Sequence, residues 1–230
     1  MLRIMGTKAK GTRESPSKTR AQRGKKMRAR LLEATITSIA WDGIAGASIE
    51  RITQRAGVSR GLVRHYYGTK SKLLAEAFQL LADDYRAMLG IGRDDEQQPT
   101  ESAELRLRDA ILPMFERLEG GPTRQYAWFG FWALARSESE IERINHALYE
   151  EVVRHLAGLI AAVATKRGRD VDAAAAGRGL AAMMEGAWVH CIIGVEGISV
   201  REAERLCLDY ALRLLGLESL DEAKDGAGVA

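Results

Sequence analysis

Cysteine is scarce in this chain of 230 residues, which contains two, Cys191 and Cys207. Neither belongs to a CxxC pair, and both lie among apolar residues. The simplest interpretation is a pair of structural thiols in a reducing cytosol.

Long apolar runs are also missing. No charge-free apolar stretch approaches the ~20 residues that cross a bilayer, and the N-terminal residues do not resemble a signal peptide. We therefore expect a soluble, cytoplasmic protein with no membrane partner.

The signatures of common catalytic sites are absent. The four histidines, His65, His146, His155 and His190, do not form an HExxH motif, and the chain lacks GxSxG, a P-loop and GxGxxG. We therefore predict that the protein is not an enzyme, uses no cofactor and holds no metal ion.

Charge is distributed unevenly along the chain. Residues 1–30 hold eleven Lys or Arg residues and one acid, Glu14, whereas the remainder holds 23 basic and 30 acidic residues. A cationic segment on an acidic body suits a polyanion engaged at one end, because each neutralised phosphate releases counterions. The simpler alternative for residues 1–18 is a solvated, disordered tail.

Apolar periodicity is helical throughout, and no stretch alternates as a strand would, so we predict an all-α fold. We divide it into a flexible basic arm (1–22), a small unit of three helices with a helix-turn-helix (23–70), a larger helical unit (71–217) and a frayed tail (218–230). The first helix should run from about Lys26 to Asp42-Gly43. A fourth, capped by Thr69 and running from Lys70 to about Met88, should be followed by a polar loop over 90–100.

Beyond that loop we expect five helices. They span about 101–118, where Pro113 should introduce a kink, then 123–135, 137–166, 172–194 and a last one from residue 199. Two of them should open with capping boxes, Ser137 with Glu140 and Ser199 with Glu202.

Residues 48–70 have the layout of a DNA-binding unit. Ser48 should cap one short helix, Gly57 should turn the chain, and Ser59 should cap a second helix. An apolar set folds the two helices together and leaves Arg51, Arg55, Arg60 and Arg64 in water. The alternative without a DNA-binding role is a structural helical hairpin with a solvated basic face.

The segment GVSRGLVRHYYGTKSKLL, residues 57–74, resembles the DNA-binding signature of TetR-type transcriptional regulators. That resemblance implies that the reading helix enters the major groove and that the next helix meets phosphate. The implied DNA-binding residues are Ser48, Ser59, Arg60, Gly61, Arg64, His65, Tyr66 and Lys70. Independently, Arg60 can pair with guanine O6 and N7, and Gly61 permits close backbone approach. Tyr67 should pack inside.

The second half resembles the BetI branch of that family, the choline-sensing repressors. QYAWFGFWA at residues 125–133 and GRGLAAMMEGAWVHCIIG at 177–194 carry the likeness, with Glu185 standing where that branch has Asp. Aromatic faces and a carboxylate hold quaternary ammonium ions. We therefore predict a small-molecule effector site built from Trp128, Phe131, Trp132, Glu185 and Trp188.

Ordinary packing is the alternative for these aromatic residues. The alternative for Glu185 is a solvated groove, or a salt bridge with Arg178 or with an arginine of the partner chain. The helix at 172–194 is rich in glycine and alanine, whose small side chains favour close helix packing. The resemblance implies that it forms the homodimer surface with the last helix. Residues 23–70 would then be the DNA-binding domain, and residues 71–217 the effector-binding and dimerisation domain. The sequence thus predicts a homodimeric, ligand-responsive repressor of a palindromic operator. The alternatives are a repressor of an efflux pump that senses a hydrophobic or cationic drug-like compound and a sequence-indifferent DNA-binding protein.

Overall fold

The computed structural model describes residues 16–92, 102–194 and 198–221. Within these ranges the chain forms nine α-helices and no strand, which confirms the all-α prediction. They are α1 (Pro16–Gly46), α2 (Ile49–Ala56), α3 (Arg60–Tyr67), α4 (Lys70–Leu89), α5 (Ala103–Glu116), α6 (Thr123–Ala135), α7 (Ser139–Lys166), α8 (Ala173–Ile193) and α9 (Val200–Leu215), with a 3₁₀ turn at Arg117–Gly120.

Two hydrophobic cores organise these helices. The smaller core, which we call the head, joins α1 to the start of α4 through Leu31, Ala34, Ile52, Ala56, Val63, Tyr67 and Leu73. The larger core, which we call the body, joins α4 to α9 and includes Ile36 and Ile39 of α1. Because α1 and α4 contribute to both cores, these two helices connect the head to the body.

Helix α1 begins earlier than the sequence predicted. It starts at Pro16, so residues 16–22 are helical where a flexible arm was expected, and the rest of the predicted arm lies outside the described residues. The helical path breaks at Gly43, which has φ of 66° and ψ of −178°, at the predicted stop. Glycine fits this position because left-handed φ values are strained for other residues.

The capping predictions were mostly confirmed. The side chains of Ser48 and Thr69 accept hydrogen bonds from backbone N–H groups at the starts of α2 and α4. Ser199 and Glu202 form the expected capping box of α9. The box predicted at Ser137 is wrong, because α7 begins at Ser139 and the Ser137 hydroxyl donates instead to the Leu134 carbonyl oxygen.

The predicted frayed tail is partly ordered. Leu220 is buried in the body core, and the Asp221 carboxylate lies 2.7 Å from Nη1 of Arg108 on α5. Leu220 and Asp221 therefore contact the body, contrary to the expectation, whereas residues 222–230 of the predicted tail lie outside the described residues.

Helix α6 packs closely against α1, and α8 packs closely against α7. A side chain at Gly130 of α6 would collide with Ile39 of α1, and a Cβ at Gly177 of α8 would lie 2.8 Å from the Ala157 nitrogen of α7. Glycine permits both approaches because it has no Cβ. The first of these contacts joins the aromatic helix of the body directly to the helix that carries the head.

A buried carboxylate ties the start of α5 to the end of α7. Glu104 is 1% exposed, and its oxygens lie 3.1 Å from Nζ of Lys166 and 2.8 Å from Nη2 of Arg167. Burial alone would raise the pKa of Glu104. Hydrogen bonds from its own backbone N–H, Lys166 and Arg167 outweigh that effect, so the pKa is lowered.

Replacing Glu104 with glutamine should therefore destabilise the protein at neutral pH by about 1–3 kcal/mol, because charged hydrogen bonds are lost. A lowered folded-state pKa gives stability that is present above the unfolded-state value and lost as pH falls through the folded-state value. The gap between wild type and variant should thus close in acid. Urea unfolding at a series of pH values measures this gap. Equal stability of the two proteins at neutral pH would contradict the assignment, and Glu142→Gln on the exposed face of α7 is the control.

Candidate DNA-binding surface and effector cavity

Helix α3 presents one polar face to solvent. Arg60, Gly61, Arg64 and His65 are exposed, while Val63 and Tyr67 on the opposite face are buried in the head core. Burial of one face fixes the orientation of the helix and directs its polar face outward. The structure thus brings together the central residues of the predicted reading surface.

Helix starts complete this surface. The exposed Ser59 is the N-cap of α3, and its side chain makes no capping hydrogen bond. Ser48 and Lys70, at the starts of α2 and α4, are both partly exposed. First-turn N–H groups and the positive end of the helix dipole favour anions, so these positions suit phosphate oxygens.

The arginines of the head are less free than the sequence suggested. Arg55 is exposed, as predicted, but it is also held against α1, because it donates to the Ser38 hydroxyl and to Asp42 at 2.8 Å. Arg51 lies 3.8 Å from the same Asp42 carboxylate, and Arg60 pairs with Glu50. Binding DNA through Arg60 therefore requires exchange of an exposed ion pair for a base or phosphate contact.

The tandem tyrosines divide as predicted. Tyr67 is buried, and its hydroxyl donates to the Arg28 carbonyl oxygen at 3.1 Å. Burial raises the pKa of Tyr67 to about 12, so it is a neutral structural group. Tyr66 is partly exposed beside His65, and the Arg28 guanidinium lies 5.4 Å from its ring centroid. This position leaves Tyr66 at the edge of the polar face.

A cavity of about 600 Å³ lies in the body. Its aromatic lining comes from α4, α6, α7 and α8 and consists of Tyr85, Trp128, Trp132, Tyr149 and Trp188. Its polar lining includes Asp84, Glu116, Arg117, Thr123, Arg124, Gln125, Asn145 and Glu185. A volume of this size is typical of sites for small organic ligands.

Three tryptophans and a tyrosine form a continuous aromatic wall. Ring centroids are 5.8 Å apart for Tyr85 and Trp128, 5.9 Å for Trp128 and Trp132, and 5.9 Å for Trp132 and Trp188. Edge-on and tilted packing holds these rings in place and leaves the wall lined by aromatic faces and edges. Such a wall can bind a cation through the ring quadrupoles.

Glu185 is a carboxylate on this wall with no ion pair or hydrogen bond to any described residue. It faces Tyr85, whose own pKa is raised by burial and by the Glu185 charge. Burial raises the pKa of Glu185 as well. A partly buried negative charge without a partner is costly, so this wall favours a positively charged occupant or a proton.

Phe131 is the one predicted ligand residue that the structure places elsewhere. It is fully buried and stacks on Phe78, with ring centroids 5.2 Å apart, and it does not line the cavity. Trp128, Trp132, Glu185 and Trp188 do line it, so the structure brings four of the five predicted residues together.

An ion-pair cluster connects the cavity wall to the helix that carries the head. Nη1 of Arg124 lies 2.8 Å from Asp84 on α4, and Nη2 lies 2.9 Å from Glu33 on α1. Nearby, the Trp41 indole N–H of α1 donates to the Thr123 hydroxyl at 3.1 Å. Arg124, Asp84 and Thr123 all line the cavity. An occupant would therefore contact Arg124 and Thr123, which are bonded to α1, and Asp84, which pairs with Arg124.

Comparison with known proteins assigns both halves of the chain. Residues 31–77 match the family model for bacterial regulatory proteins of the tetR family, and residues 103–216 match the model for the C-terminal part of BetI-type transcriptional repressors. The HTH-type transcriptional regulator BetI 1 of Chromohalobacter salexigens is 31% identical over 187 residues, which cover 80% of this chain and 87% of that protein. The chain belongs to the TetR family of transcriptional regulators and is of the BetI type.

Solved structures share the fold of this TetR-family chain. A transcriptional regulator from Pseudomonas aeruginosa PAO1 superposes with a TM-score of 0.72 at 28% identity, covering 84% of this chain and 91% of that one. A regulator from Saccharomonospora viridis in complex with choline superposes with a TM-score of 0.67 at 21% identity, covering 81% and 95%. In the described part of the TetR-family chain, no helix is both long enough and apolar enough to cross a membrane.

Sequence reasoning missed the cavity residues that lie outside the two aromatic segments. Asp84 and Tyr85 belong to α4, whose apolar periodicity indicates a packed helix without marking a site. Arg124 stands at the start of the aromatic helix, and its pairing with Glu33 and Asp84 depends on tertiary contact. Within the TetR-family fold, Arg124 and Asp84 belong to the ion-pair cluster that relates the cavity to the head.

Proposed function

We propose that this TetR-family repressor acts in the cytoplasm, binds a palindromic operator as a homodimer, and releases it when a quaternary ammonium ion such as choline enters the cavity. One observation carries the effector part of the proposal: Glu185 has no partner on a wall of tryptophan faces. The choline-bound regulator of the same fold supports the same ligand class.

The operator part rests on α3. Its exposed Arg60 and Arg64 present guanidinium donors, and Arg60 stands beside Gly61, where the backbone of the protein can approach base edges. One helix of eight residues reads a few base pairs, so two copies are needed for a specific site. Reading helices of a symmetric pair must lie ~34–36 Å apart to enter successive major grooves.

The dimer part rests on α8 and α9. Ile193 and Leu206 are large apolar side chains with 59% and 49% of their surface exposed in the single chain. Ala182, Gly186 and His190 are also exposed on α8, and a side chain at Gly186 would meet no other residue. Small residues flanked by exposed apolar ones suit close helix packing against a second copy.

Coupling between the two sites is a difference in effector affinity between DNA-competent and DNA-incompetent conformers. Such couplings are typically ~1–3 kcal/mol, or about 5–150-fold, and they are reciprocal. The Glu33–Arg124–Asp84 ion-pair cluster is suited to this role, because a cation in the cavity repels Arg124 and attracts Asp84. Weakening the cluster loosens α1 from the body and changes the position of the head.

Replacing Arg124 with glutamine should therefore uncouple the sites. In the absence of DNA, the affinity for the cation should be unchanged or higher, because a positive charge is removed from the cavity wall. The loss of operator affinity that the cation causes should become smaller. Fluorescence anisotropy of labelled operator, titrated with protein in the presence and absence of choline, measures this loss.

Arg143→Gln is the matched control, since Arg143 pairs with Glu140 on the surface of α7 and does not line the cavity. It should keep the full response. An undiminished choline response in Arg124→Gln would show that coupling takes another route.

A second candidate effector is a larger lipophilic cation, as in repressors of efflux pumps. The cavity volume of about 600 Å³ favours it, because such volumes enclose drug-sized ligands and choline is much smaller. Calorimetry with choline, betaine aldehyde and a lipophilic quaternary ammonium ion separates the candidates. Tight binding of choline supports the first proposal, and binding of the lipophilic cation alone supports the second.

Sequence-indifferent DNA binding is the alternative outside the ligand-responsive class. Competition between a promoter fragment from the protein's own locus and random duplex DNA distinguishes the two. A specific repressor should prefer the promoter fragment by ~10³-fold or more. Equal competition would remove the operator from the proposal.

A further inference from the structure

The negative charge of Glu185 can be neutralised by either of two partners from solution, a cation or a proton. Its side chain lines the same cavity as Trp128, Trp132 and Trp188, and no described residue forms an ion pair or hydrogen bond with it. An empty cavity therefore leaves the carboxylate to be neutralised by a proton or to remain charged at a cost.

The other charged and titratable groups on the cavity wall offer Glu185 little compensation. They are Asp84 and Tyr85 on α4, Glu116 on α5, Arg117 in the 3₁₀ turn, Arg124 on α6 and Tyr149 on α7. Arg124 is already ion-paired with Asp84 and Glu33, while Glu116 and Arg117 are exposed. The Tyr85 hydroxyl donates to the thioether of Met114 at 3.8 Å, so its proton is directed away from the carboxylate.

We propose that a cationic effector and a proton compete for Glu185, so that the sensor releases a proton when the cation binds. This inference rests on the proposed function, because it requires a cation in the cavity. The raised pKa of Glu185, caused by burial, supports it. An opposite charge nearby favours the ionised form, so the bound cation lowers that pKa and expels the proton.

The sign of the pH dependence follows from this exchange. Above the pKa of the free site the carboxylate is already ionised, and cation affinity is at its plateau. Below it each cation must displace a proton, so affinity falls about tenfold per pH unit until the pKa of the occupied site is reached. The repressor would therefore respond less to its effector in acid.

Proton release also identifies the charge class of the ligand. A neutral ligand gains nothing from ionised Glu185 and would bind with no proton released, or with uptake of one. A permanent cation has no proton of its own to lose in this range. Every proton that it releases must come from the protein.

The experiment is calorimetric titration of the full chain with choline and with benzyltrimethylammonium in two buffers of different ionisation enthalpy, at several pH values. We expect release of a fraction of one proton per site and a fall in affinity toward acid. Glu185→Gln should abolish the release and leave a weak, pH-independent affinity. Glu185→Asp should retain the release, and Glu142→Gln on the exposed face of α7 should behave as wild type.

Wild-type binding with no proton released at any pH would overturn the exchange while leaving the cation site in place. Proton release that persists unchanged in Glu185→Gln would overturn the assignment to Glu185. Failure of both cations to bind at every pH would overturn the proposed effector class, and this inference with it. Circular dichroism of the variants confirms that each comparison is made on folded protein.

Discussion

Replacing Arg60 with alanine should weaken operator binding by about 1–3 kcal/mol per half-site and remove base discrimination at one position in each half-site. Arg60 is the first residue of α3, it is exposed, and Gly61 beside it adds no side chain that would keep the protein from the base edges. Binding to random duplex DNA should change much less. Competition with operator variants, one substituted base pair at a time, measures the lost discrimination.

The Glu50 partner of Arg60 affects the size of this loss. In the free protein the two side chains form an exposed ion pair, which must open before Arg60 reaches a base. Exposed pairs contribute little, so the cost of opening does not cancel the base contact. Arg143→Ala, a surface arginine on α7, is the control. A uniform loss across all operator variants would contradict base reading by Arg60 and assign it to phosphate.

Replacing Glu185 with glutamine should weaken binding of a quaternary ammonium ion by about 2 kcal/mol, or roughly 30-fold. The substitution keeps the size of the side chain and removes the unpartnered charge on the cavity wall. The tryptophan faces remain, so some affinity should persist. Calorimetry at neutral pH, or quenching of the three cavity tryptophans, measures the change.

The direction of this effect depends on the class of ligand. A neutral ligand should bind the glutamine variant as well as or better than wild type, because desolvation of a carboxylate is avoided. Glu142→Gln serves again as the control for a charge removed elsewhere. Equal affinity of wild type and Glu185→Gln for choline and for a lipophilic cation would contradict a cation site at this wall.

The helices could be predicted because local signals set them. Ser48, Thr69 and Ser199 cap helices through bonds to residues three positions away, and such bonds are visible in sequence spacing. Ser137 carried the same spacing but failed as a cap. The chain still turns there after α6, so Ser137 bonds back to Leu134 and α7 starts two residues later.

The predicted start of α1 near Lys26 is wrong because the basic, polar composition of residues 16–22 suggested a mobile arm, although their helix propensity is adequate. Lysine, arginine, alanine and glutamine are good helix formers, and the charge that suggested a mobile arm does not by itself prevent a helix. The described structure continues α1 back to Pro16, where proline is tolerated at a first helical position.

The candidate cavity was predictable only where its residues share a segment. Trp128 and Trp132 lie one turn apart in the aromatic segment, and both line the cavity. Phe131 lies in the same segment but faces Phe78, because a helix of aromatic residues directs them to different neighbours. The cluster of Glu33, Arg124 and Asp84 joins three helices, and no spacing within one segment reveals it.

The central claim is that a head displayed by two symmetric copies reads DNA under control of a cation in the body. Anisotropy of a labelled promoter fragment from the protein's own locus, titrated with and without choline or a lipophilic quaternary ammonium ion, tests it directly. We predict that a dimer binds this fragment in preference to scrambled DNA, and that the cation lowers operator affinity about 5–150-fold while operator DNA lowers cation affinity equally. A monomeric protein, or one that binds the promoter and scrambled fragments alike with and without cation, would contradict the account.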